Sequence, residues 1–474
     1  MSKIYLTDVD KENPMQSTQE RLENEKKKVE IGPDGLPLNV INSEETNTHK
    51  HHEEDLVEEV EEEENHELHK TDKEEKTQKK QSTFATIMNI MNSILGAGIL
   101  SIPNTFVNSG IIPSIILILI MAILSLIATD MVISLAFKTQ TVGLAQLTEK
   151  ILGFWGALIL TILNLLFLLT ALVAYLVLAG DMITSWFDLG GIDLNPLAYH
   201  AIMELIYGII PISLTIPRDI SFLRYFSTAT VICVIFFCVV MLYKAIDYHK
   251  VNSTVKMSKL DISLFSSVSI YGLSFALPSV VLPAVKLYTT KVKRRWFVSM
   301  IGIIIALFFY AIPGVTGYLI FGDETNGNIL KNFKSNDVVM IICRACFFIV
   351  VTCAYPMIAQ TVQAMWSQLI FKMDQPAELP NCKRFLILAL TNSIPLIIAM
   401  LLPSAKPALS IGGALGGCLV DFAFPSLEFI VLYRKELKWS NWRMISSGLF
   451  FVFGLVTGVI ATYQSIADAI VAFS

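Results

Sequence analysis

Charge is scarce in this sequence. Only 16% of the 474 residues are Asp, Glu, Lys or Arg, whereas soluble proteins carry about 25%. Hydrophobic residues make up 53% of the chain, and the mean hydropathy is +0.58. These values exclude an ordinary cytosolic globular protein and favour a chain that is embedded in a membrane.

The apolar part of the sequence also lacks clusters of His, Asp and Glu at metal-binding or catalytic spacing. The Cys343 and Cys346 pair has C-x-x-C spacing, but it lies in an apolar helix without a second pair, so we interpret it as helix packing. The sequence therefore predicts no enzyme and no cofactor. Near Met1 there is no apolar stretch of the kind found in cleavable signal peptides, so the first hydrophobic span is expected to act as the insertion signal.

Residues 1–83 differ in composition from the rest of the chain. They contain 23 of the 41 acidic residues, 12 of the 36 basic residues and five of the seven histidines. Few aromatic or branched residues are available for a core, so we expect a disordered acidic cytoplasmic tail. The histidines and glutamates could chelate a metal or sense pH, although a solvated spacer is the simpler interpretation. The tail becomes basic from Lys70, which suits a cytoplasmic membrane surface.

Residues 84–474 form the predicted transmembrane domain. About 20 apolar residues suffice to cross the hydrocarbon as a helix, and segments of that size are separated by charged or Gly-, Pro- and Asn-rich breaks. The sequence predicts eleven spans, at 84–108, 112–137, 154–187, 199–217, 225–246, 264–288, 296–321, 338–371, 385–402, 408–433 and 443–472.

The distribution of basic residues predicts the orientation of these spans. If the amino terminus is cytoplasmic, the inside loops hold fifteen Lys and Arg residues and the outside loops hold six, as the positive-inside rule requires. The same orientation places the sequon at Asn252 on the lumenal or extracellular side, where it can be glycosylated. An odd number of spans then places the carboxyl terminus on that side as well.

Two of the predicted spans contain helix-breaking residues near their middle. The first carries Gly96, Ala97 and Gly98, beginning three residues after the polar Ser93, and the sixth carries a Tyr271-to-Pro283 stretch that includes Ser274. Small residues can also serve close helix packing. However, broken helices at corresponding positions of two five-helix halves are typical of inverted-repeat transporters. We therefore expect one repeat at 84–246, a second at 264–433, and a peripheral eleventh helix at 443–472.

An unwound first span would expose main-chain groups that can bind ligands. Amide groups at the start of its second half could hold a carboxylate, and carbonyl groups of its first half could hold a cation together with Asn92. Thr352 lies one turn before Pro356 and could complete a cation site, although a lone membrane threonine more often bonds its own helix. Among the intramembrane acids, Asp421 lies deepest and is our candidate for proton coupling.

Four stretches of the sequence resemble the amino acid/auxin permease family, and in particular its vacuolar amino-acid transporters and sodium-coupled neutral amino acid transporters. They are the first-span sequence from Met91 to Leu100, the sequence from Tyr175 to Asp181, the sequence from Gly317 to Ile329, and Arg344 with Thr352 and Pro356. The resemblance extends from residue 83 to about residue 470.

This resemblance implies an all-α polytopic membrane protein with a LeuT-like 5+5 inverted repeat and discontinuous first and sixth helices. It implies that the backbone from Gly96 to Gly98 receives the substrate carboxylate. It also implies that Asn92 and Thr352 occupy the positions that form the sodium site in sodium-coupled members of the family.

The sequence and the resemblance together predict a secondary active transporter of small amino acids that works by alternating access. The coupling ion is H⁺ or Na⁺, and symport and antiport both remain open. The predicted substrate-binding residues are Ser93, Gly96, Ala97, Gly98, Tyr271 and Ser274. The alternative is a membrane amino-acid sensor whose tail binds a cytoplasmic partner. No nucleic-acid partner is expected, and a vacuolar or lysosomal membrane is favoured over the plasma membrane.

Overall fold

The computed structural model describes residues 81–96, 98–187, 196–218, 226–248, 251–259, 261–289, 291–373, 376–438 and 440–473. Within these ranges the regular elements are helices. A helix satisfies all its backbone hydrogen bonds internally, which the interior of a bilayer requires. The acidic tail up to residue 80 lies outside the described residues, and so does Ala97.

The first half of the described chain contains eight α-helices. They are α1 (Thr83–Ile94), α2 (Gly98–Ser109), α3 (Ile111–Thr139), α4 (Leu144–Phe187), α5 (Pro196–Leu214), α6 (Phe226–Asp247), α7 (Leu264–Ser274) and α8 (Val281–Val285).

The second half begins with α9 (Val292–Phe321) and continues with two 3₁₀ turns, Gly322–Glu324 and Ile329–Asn332. The remaining elements are α10 (Val338–Phe371), a 3₁₀ turn (Pro376–Glu378), α11 (Asn381–Leu401), α12 (Lys406–Gly412), a π-helix (Gly413–Ala423), α13 (Phe424–Tyr433) and α14 (Trp442–Phe473).

The described helices agree with the eleven predicted spans. Eight helices are long and apolar enough to cross a membrane, α1 and α2 together form a bent ninth, and α5 and α7 account for the fourth and sixth predicted spans as shorter apolar helices. The third span begins after a kink at Gly153, which has a φ of 75°. Ile209, Phe308 and Leu449 expose 61–69% of their surface on the outside of the bundle, which is the surface that lipid would cover.

Both predicted discontinuities are confirmed. The first span is interrupted between α1 and α2, where the chain bends by 54°. The sixth span is interrupted between α7 and α8, where residues 275–280 leave the helical ladder. These two broken spans lie against each other in the centre of the bundle.

The two broken spans run antiparallel. Near the start of the first span, Asn89 Nδ2 donates to the Ala284 carbonyl oxygen of α8 over 3.1 Å. Near its end, the Thr105 hydroxyl lies 2.6 Å from the Tyr271 hydroxyl of α7. Each half of one span therefore meets the opposite half of the other, which is the relation that an inverted repeat produces.

The tenth span contains an unusually long π-helical segment, Gly413–Ala423. It packs on α7 so closely that side chains do not fit at the contact. A Cβ at Gly417 would lie 2.3 Å from the Gly272 carbonyl carbon, and a Cβ at Gly413 would lie 1.8 Å from the Ser269 carbonyl oxygen. π-helical turns are frequent at functional sites, and this one brings Asp421 to the broken part of the sixth span.

Candidate functional site

The break in the first span lies at a point of close helix contact. α1 ends at Ile94 and α2 begins at Gly98. The amide of Leu95, which follows α1 directly, donates to the Met91 carbonyl oxygen over 2.7 Å. A Cβ at Gly96 would lie 3.0 Å from the Tyr175 hydroxyl, and a Cβ at Gly98 would lie 2.8 Å from the Ser274 Oγ. Small residues are therefore needed for α4 and α7 to approach the break.

The break in the sixth span is supported by a neighbouring helix. The amide of Leu277 donates to the Phe275 carbonyl oxygen over 2.7 Å, a short-range bond that does not belong to a helical ladder. The same carbonyl oxygen accepts a hydrogen bond of 2.7 Å from the buried hydroxyl of Ser125 on α3. These contacts satisfy backbone groups that the break would otherwise leave unpaired inside the bundle.

Both breaks open into one cavity of about 330 Å³. It is lined by the end of α1, the start of α2, the end of α7, the break before α8, and parts of α4 and α10. Among the described residues that line it, none is Asp, Glu, Lys, Arg or His. The cavity therefore suits a small ligand without net charge, whose polar groups are met by main-chain and neutral side-chain atoms.

Five predicted binding residues line this cavity: Asn92, Ser93, Gly96, Gly98 and Ser274. The Ser274 hydroxyl donates to the Ile270 carbonyl oxygen over 2.8 Å, and the Ser93 hydroxyl donates to that of Asn89 over 2.9 Å. Both hydroxyl oxygens keep an acceptor lone pair for a ligand. Ala97, also predicted to bind substrate, lies outside the described residues.

Tyr271 and Thr352 are not among the described residues that line the cavity. The Tyr271 side chain is fully buried, with its hydroxyl 2.6 Å from that of Thr105. The Thr352 hydroxyl donates to the Phe348 carbonyl oxygen of its own helix over 2.6 Å and lies 3.1 Å from the Tyr207 hydroxyl. Tyr271 therefore holds the two broken spans together, and Thr352 makes the intrahelical bond that is common for a membrane threonine.

Asp421 lies directly behind the cavity. Its Oδ1 accepts a hydrogen bond of 2.9 Å from the backbone amide of Ser279, which lies in the break of the sixth span and lines the cavity. The carboxyl group is fully buried, and its Oδ2 has no hydrogen-bond partner among the described residues. The protonation state of Asp421 can therefore act directly on the backbone that forms the cavity wall.

The cavity also contains polar residues that the sequence analysis did not select. Asn164 and Tyr175 of α4 face the two breaks, and Ser279 and Thr361 complete the lining from the sixth and eighth spans. The Asn164 Oδ1 is buried without a hydrogen-bond partner in the described part of the chain. A single asparagine inside a long apolar helix is the signal that could have identified it.

The cavity is closed on one side of the bundle. We call this side the loop face, because it carries residues 251–259 and 322–337. There the Ser101 hydroxyl donates to the Gly327 carbonyl oxygen, and Asn104 Nδ2 donates to that of Thr325, both over 2.5 Å. Ser101 and Thr105 are fully buried at this contact, whereas Ser93, which lines the cavity, is exposed. The structure therefore describes a conformation in which the loop face is shut.

Asn252, the predicted glycosylation site, lies on the loop face. Its Nδ2 donates to the Phe321 carbonyl oxygen over 3.2 Å, and its Oδ1 accepts hydrogen bonds from the Thr254 amide and hydroxyl. The sequon therefore forms a turn that packs on the end of α9.

A helical membrane bundle with two antiparallel broken spans and a shared central cavity is the architecture of an inverted-repeat membrane transporter. Comparison with known proteins gives the family. The family model described as transmembrane amino acid transporter protein matches residues 79–467. The chain belongs to this family, and it is accordingly a transporter rather than an enzyme.

Individual relatives have low sequence identity to this chain, but they align with most of its length. The sodium-coupled neutral amino acid transporter 7 of Xenopus laevis is 24% identical over 77% of this chain and 86% of its own length. The human solute carrier family 38 member 8 is 25% identical over 73% of this chain and 83% of its own length. The sodium-coupled neutral amino acid symporter 2 of Danio rerio is 22% identical, over 78% and 79% respectively. The predicted family is thereby confirmed.

Proposed function

We propose that this protein is a secondary active transporter that moves small neutral amino acids by alternating access. The observation that carries the proposal is the 330 Å³ cavity into which both broken spans open and whose described lining residues include none with a charge. The volume lies at the small end of ligand-binding pockets. A net charge on the substrate side chain would have no partner in this cavity and would lose its hydration.

The two charged groups of a zwitterionic amino acid have different partners in this proposal. The carboxylate binds at the start of α2, where a helix N-terminus offers main-chain amide groups. We assign this role to Gly96 and Gly98, which line the cavity, together with Ala97, which lies outside the described residues. The ammonium group binds the Oδ1 of Asn164, with Ser93 and Ser274 as further acceptors. Tyr271 supports the site indirectly by joining the broken spans.

The coupling ion is Na⁺ or H⁺, and each has candidate residues. Two of the relatives described above are named as sodium-coupled. For Na⁺ we propose Asn92 and Thr352, which requires Thr352 to turn its hydroxyl oxygen away from Tyr207. For H⁺ we propose Asp421, which is bonded to the cavity wall through Ser279.

For the cellular setting we propose a vacuolar or lysosomal membrane, with the amino terminus in the cytoplasm and the loop face in the lumen. The plasma membrane is the alternative location, and the loop face would then be extracellular. In both cases Asn252 lies on the side where glycans are attached.

The test is a flux screen in proteoliposomes across the common amino acids, with sodium and proton gradients imposed separately. We expect uptake of small neutral amino acids and no uptake of lysine, arginine or glutamate. Asn92→Ala and Thr352→Ala should abolish the dependence on sodium. Thr462→Ala removes a similar intrahelical hydroxyl bond on peripheral α14 and serves as the matched control. Selective uptake of charged amino acids would contradict the proposal.

The acidic tail supports a second candidate function, an amino-acid sensor that binds a cytoplasmic partner. Deletion of residues 1–70 separates the two functions. If transport is the primary function, the truncated protein takes up amino acids into vesicles at the rate of the full chain. Loss of a cellular amino-acid response without loss of uptake would instead support the sensor.

A further inference from the structure

The acid Glu204 of α5 lies in an unusual environment. Its side chain is fully buried, and neither carboxylate oxygen has a hydrogen-bond partner among the described residues. An ionised carboxylate that is buried without hydrogen bonds strongly destabilises the folded state, because it loses its hydration and no hydrogen bond replaces the lost contacts with water. The chain nevertheless keeps an acid at this position.

The neighbouring helix α4 has a glycine where it contacts this carboxyl group. At Gly180 of α4, an added Cβ would lie 2.0 Å from Glu204 Oε1 and 2.5 Å from its carboxyl carbon. Any residue other than glycine would therefore displace the Glu204 side chain. The carboxyl group therefore packs against Gly180 of α4, and no described residue donates a hydrogen bond to it.

The next residue on α4, Asp181, has the opposite surroundings. Its Oδ1 accepts a hydrogen bond of 3.0 Å from Lys331, and its Oδ2 accepts one of 3.1 Å from Asn328 Nδ2. Both partners belong to the loop face. Asp181 therefore pairs with Lys331, which is the one basic side chain in contact with it among the described residues.

Among the described residues, the other titratable groups around Glu204 include no second Lys or Arg in contact with it. On α5, His200 Nε2 lies 4.0 Å from Glu204 Oε1. That nitrogen lies 2.7 Å from the Leu402 carbonyl oxygen and 3.2 Å from that of Ala399, both on the α11 side. Tyr207, also on α5, lies one turn further along and bonds to Thr352 of α10. Cys353 and Tyr355 of α10 are the further titratable groups next to Tyr207.

We infer that Glu204 is a proton-binding site of this transporter, separate from Asp421, which exchanges its proton with the loop face through His200. With Glu204 neutral, Asp181 and Lys331 form a balanced pair. With Glu204 ionised, the same buried cluster carries an excess negative charge. The His200 side chain is 17% exposed and lies one helical turn before the fully buried Glu204, with its Nε2 4.0 Å from Glu204 Oε1, so in this inference it provides the route for the proton.

The alternative position for the same proton is the His200 imidazole, which would form an ion pair with an ionised Glu204 across the 4.0 Å gap. The neutral Glu204 and the Glu204–His200 ion pair can be distinguished by the bonding of the carboxyl group. A protonated carboxyl group has a C=O double bond with its own infrared absorption, and an ionised carboxylate does not.

The experiment is infrared difference spectroscopy of the full chain in lipid vesicles, recorded on raising the pH. It needs no substrate, so its outcome is independent of the proposed transport function. We expect E204Q to lose one protonated-carboxyl band that wild type shows, and D181N to retain it. E428Q removes another fully buried acid, which bonds to Thr148, and is the matched control that must leave the Glu204 band in place.

Several outcomes would overturn the inference. In the first, E204Q has the same spectrum as wild type, so Glu204 does not hold the proton in the wild-type protein. In the second, D181N and not E204Q loses the protonated-carboxyl band. Because glutamine has the shape of a neutral glutamic acid, E204Q should also fold. We expect the thermal stability of wild type to fall with rising pH as Glu204 ionises, and that of E204Q to lack this loss. A misfolded E204Q would count against a neutral carboxyl group at this position.

Discussion

The contact between the π-helix and α7 is expected to tolerate no side chain at Gly417. In Gly417→Ala, the new Cβ would lie 2.3 Å from the Gly272 carbonyl carbon and 2.6 Å from its Cα, whereas ordinary contact begins at 3.4 Å. The atoms it meets belong to the backbone and cannot rotate away. The two segments must therefore separate by about 1 Å, because closely packed interiors have no spare space.

This displacement has two measurable consequences. Overpacking of this kind costs about 1–3 kcal/mol of unfolding free energy. It also stretches the bond between Asp421 Oδ1 and the Ser279 amide, now 2.9 Å, to roughly 4 Å, which is beyond hydrogen-bonding range. We therefore expect Gly417→Ala to unfold at lower temperature in detergent and to lose most gradient-driven uptake in proteoliposomes.

The matched control is Gly448→Ala. Gly448 is also a helical glycine, on α14, but a Cβ there would meet nothing within 4 Å. Alanine in an exposed helix is more favourable than glycine by roughly 1 kcal/mol, so this variant should be as stable as wild type or more so, with unchanged uptake. If Gly417→Ala matches Gly448→Ala in both measurements, the π-helix does not pack on α7 as described.

Three further predictions concern individual polar groups. Asp421→Asn keeps an acceptor for the Ser279 amide but cannot titrate, so substrate exchange should persist while the response of uptake to a proton gradient is lost. Asn164→Leu removes a hydrogen bond to a charged group, about 1.5–3 kcal/mol, and should raise KM roughly 10- to 150-fold; an unchanged KM would place the ammonium group elsewhere. Burial raises the pKa of Asp337, but hydrogen bonds from Lys244 and from backbone amides outweigh it and hold this pKa below its usual value. Its stabilisation is therefore present at neutral pH and lost as the pH falls through this lowered pKa. Asp337→Asn should unfold at a lower temperature than wild type at pH 7, and the difference should shrink once the pH falls below the usual aspartate pKa of about 3.9.

The spans and their interruptions were accessible from the sequence because they depend on local composition. Apolar runs fix where helices can cross a bilayer, and the observed α10 begins and ends at the predicted residues 338 and 371. Gly96 and Gly98 mark one break and Pro278 and Pro283 the other, because these residue types weaken a helix wherever they occur. These features need no knowledge of the neighbouring helices.

Side-chain roles were less accessible because they depend on which helix lies opposite. Tyr271 and Ser274 are three residues apart, yet Ser274 lines the cavity and Tyr271 faces Thr105. The depth of Asp421 in its span made it the candidate for proton coupling. Its hydrogen bond to Ser279 depends on the π-helix, which could not be predicted from the sequence. The same limitation applies to Glu204, whose burial is decided by Gly180 on another helix.

The contacts that shut the loop face also bear on how the transporter could reopen. On this side, the side chains of four residues of α2 each make one hydrogen bond between neutral groups to another element: Ser101 and Asn104 to residues 325–327, and Thr105 and Asn108 to α7. Each contributes about 1 kcal/mol, so breaking all four costs about 4 kcal/mol. A ligand shifts such an equilibrium only by its difference in affinity for the two states, and this cost corresponds to a difference of about 1,000-fold. Neutral bonds of this strength allow substrate and ion binding to reverse the closure, whereas a set of buried ion pairs in the same place would be far more costly to separate.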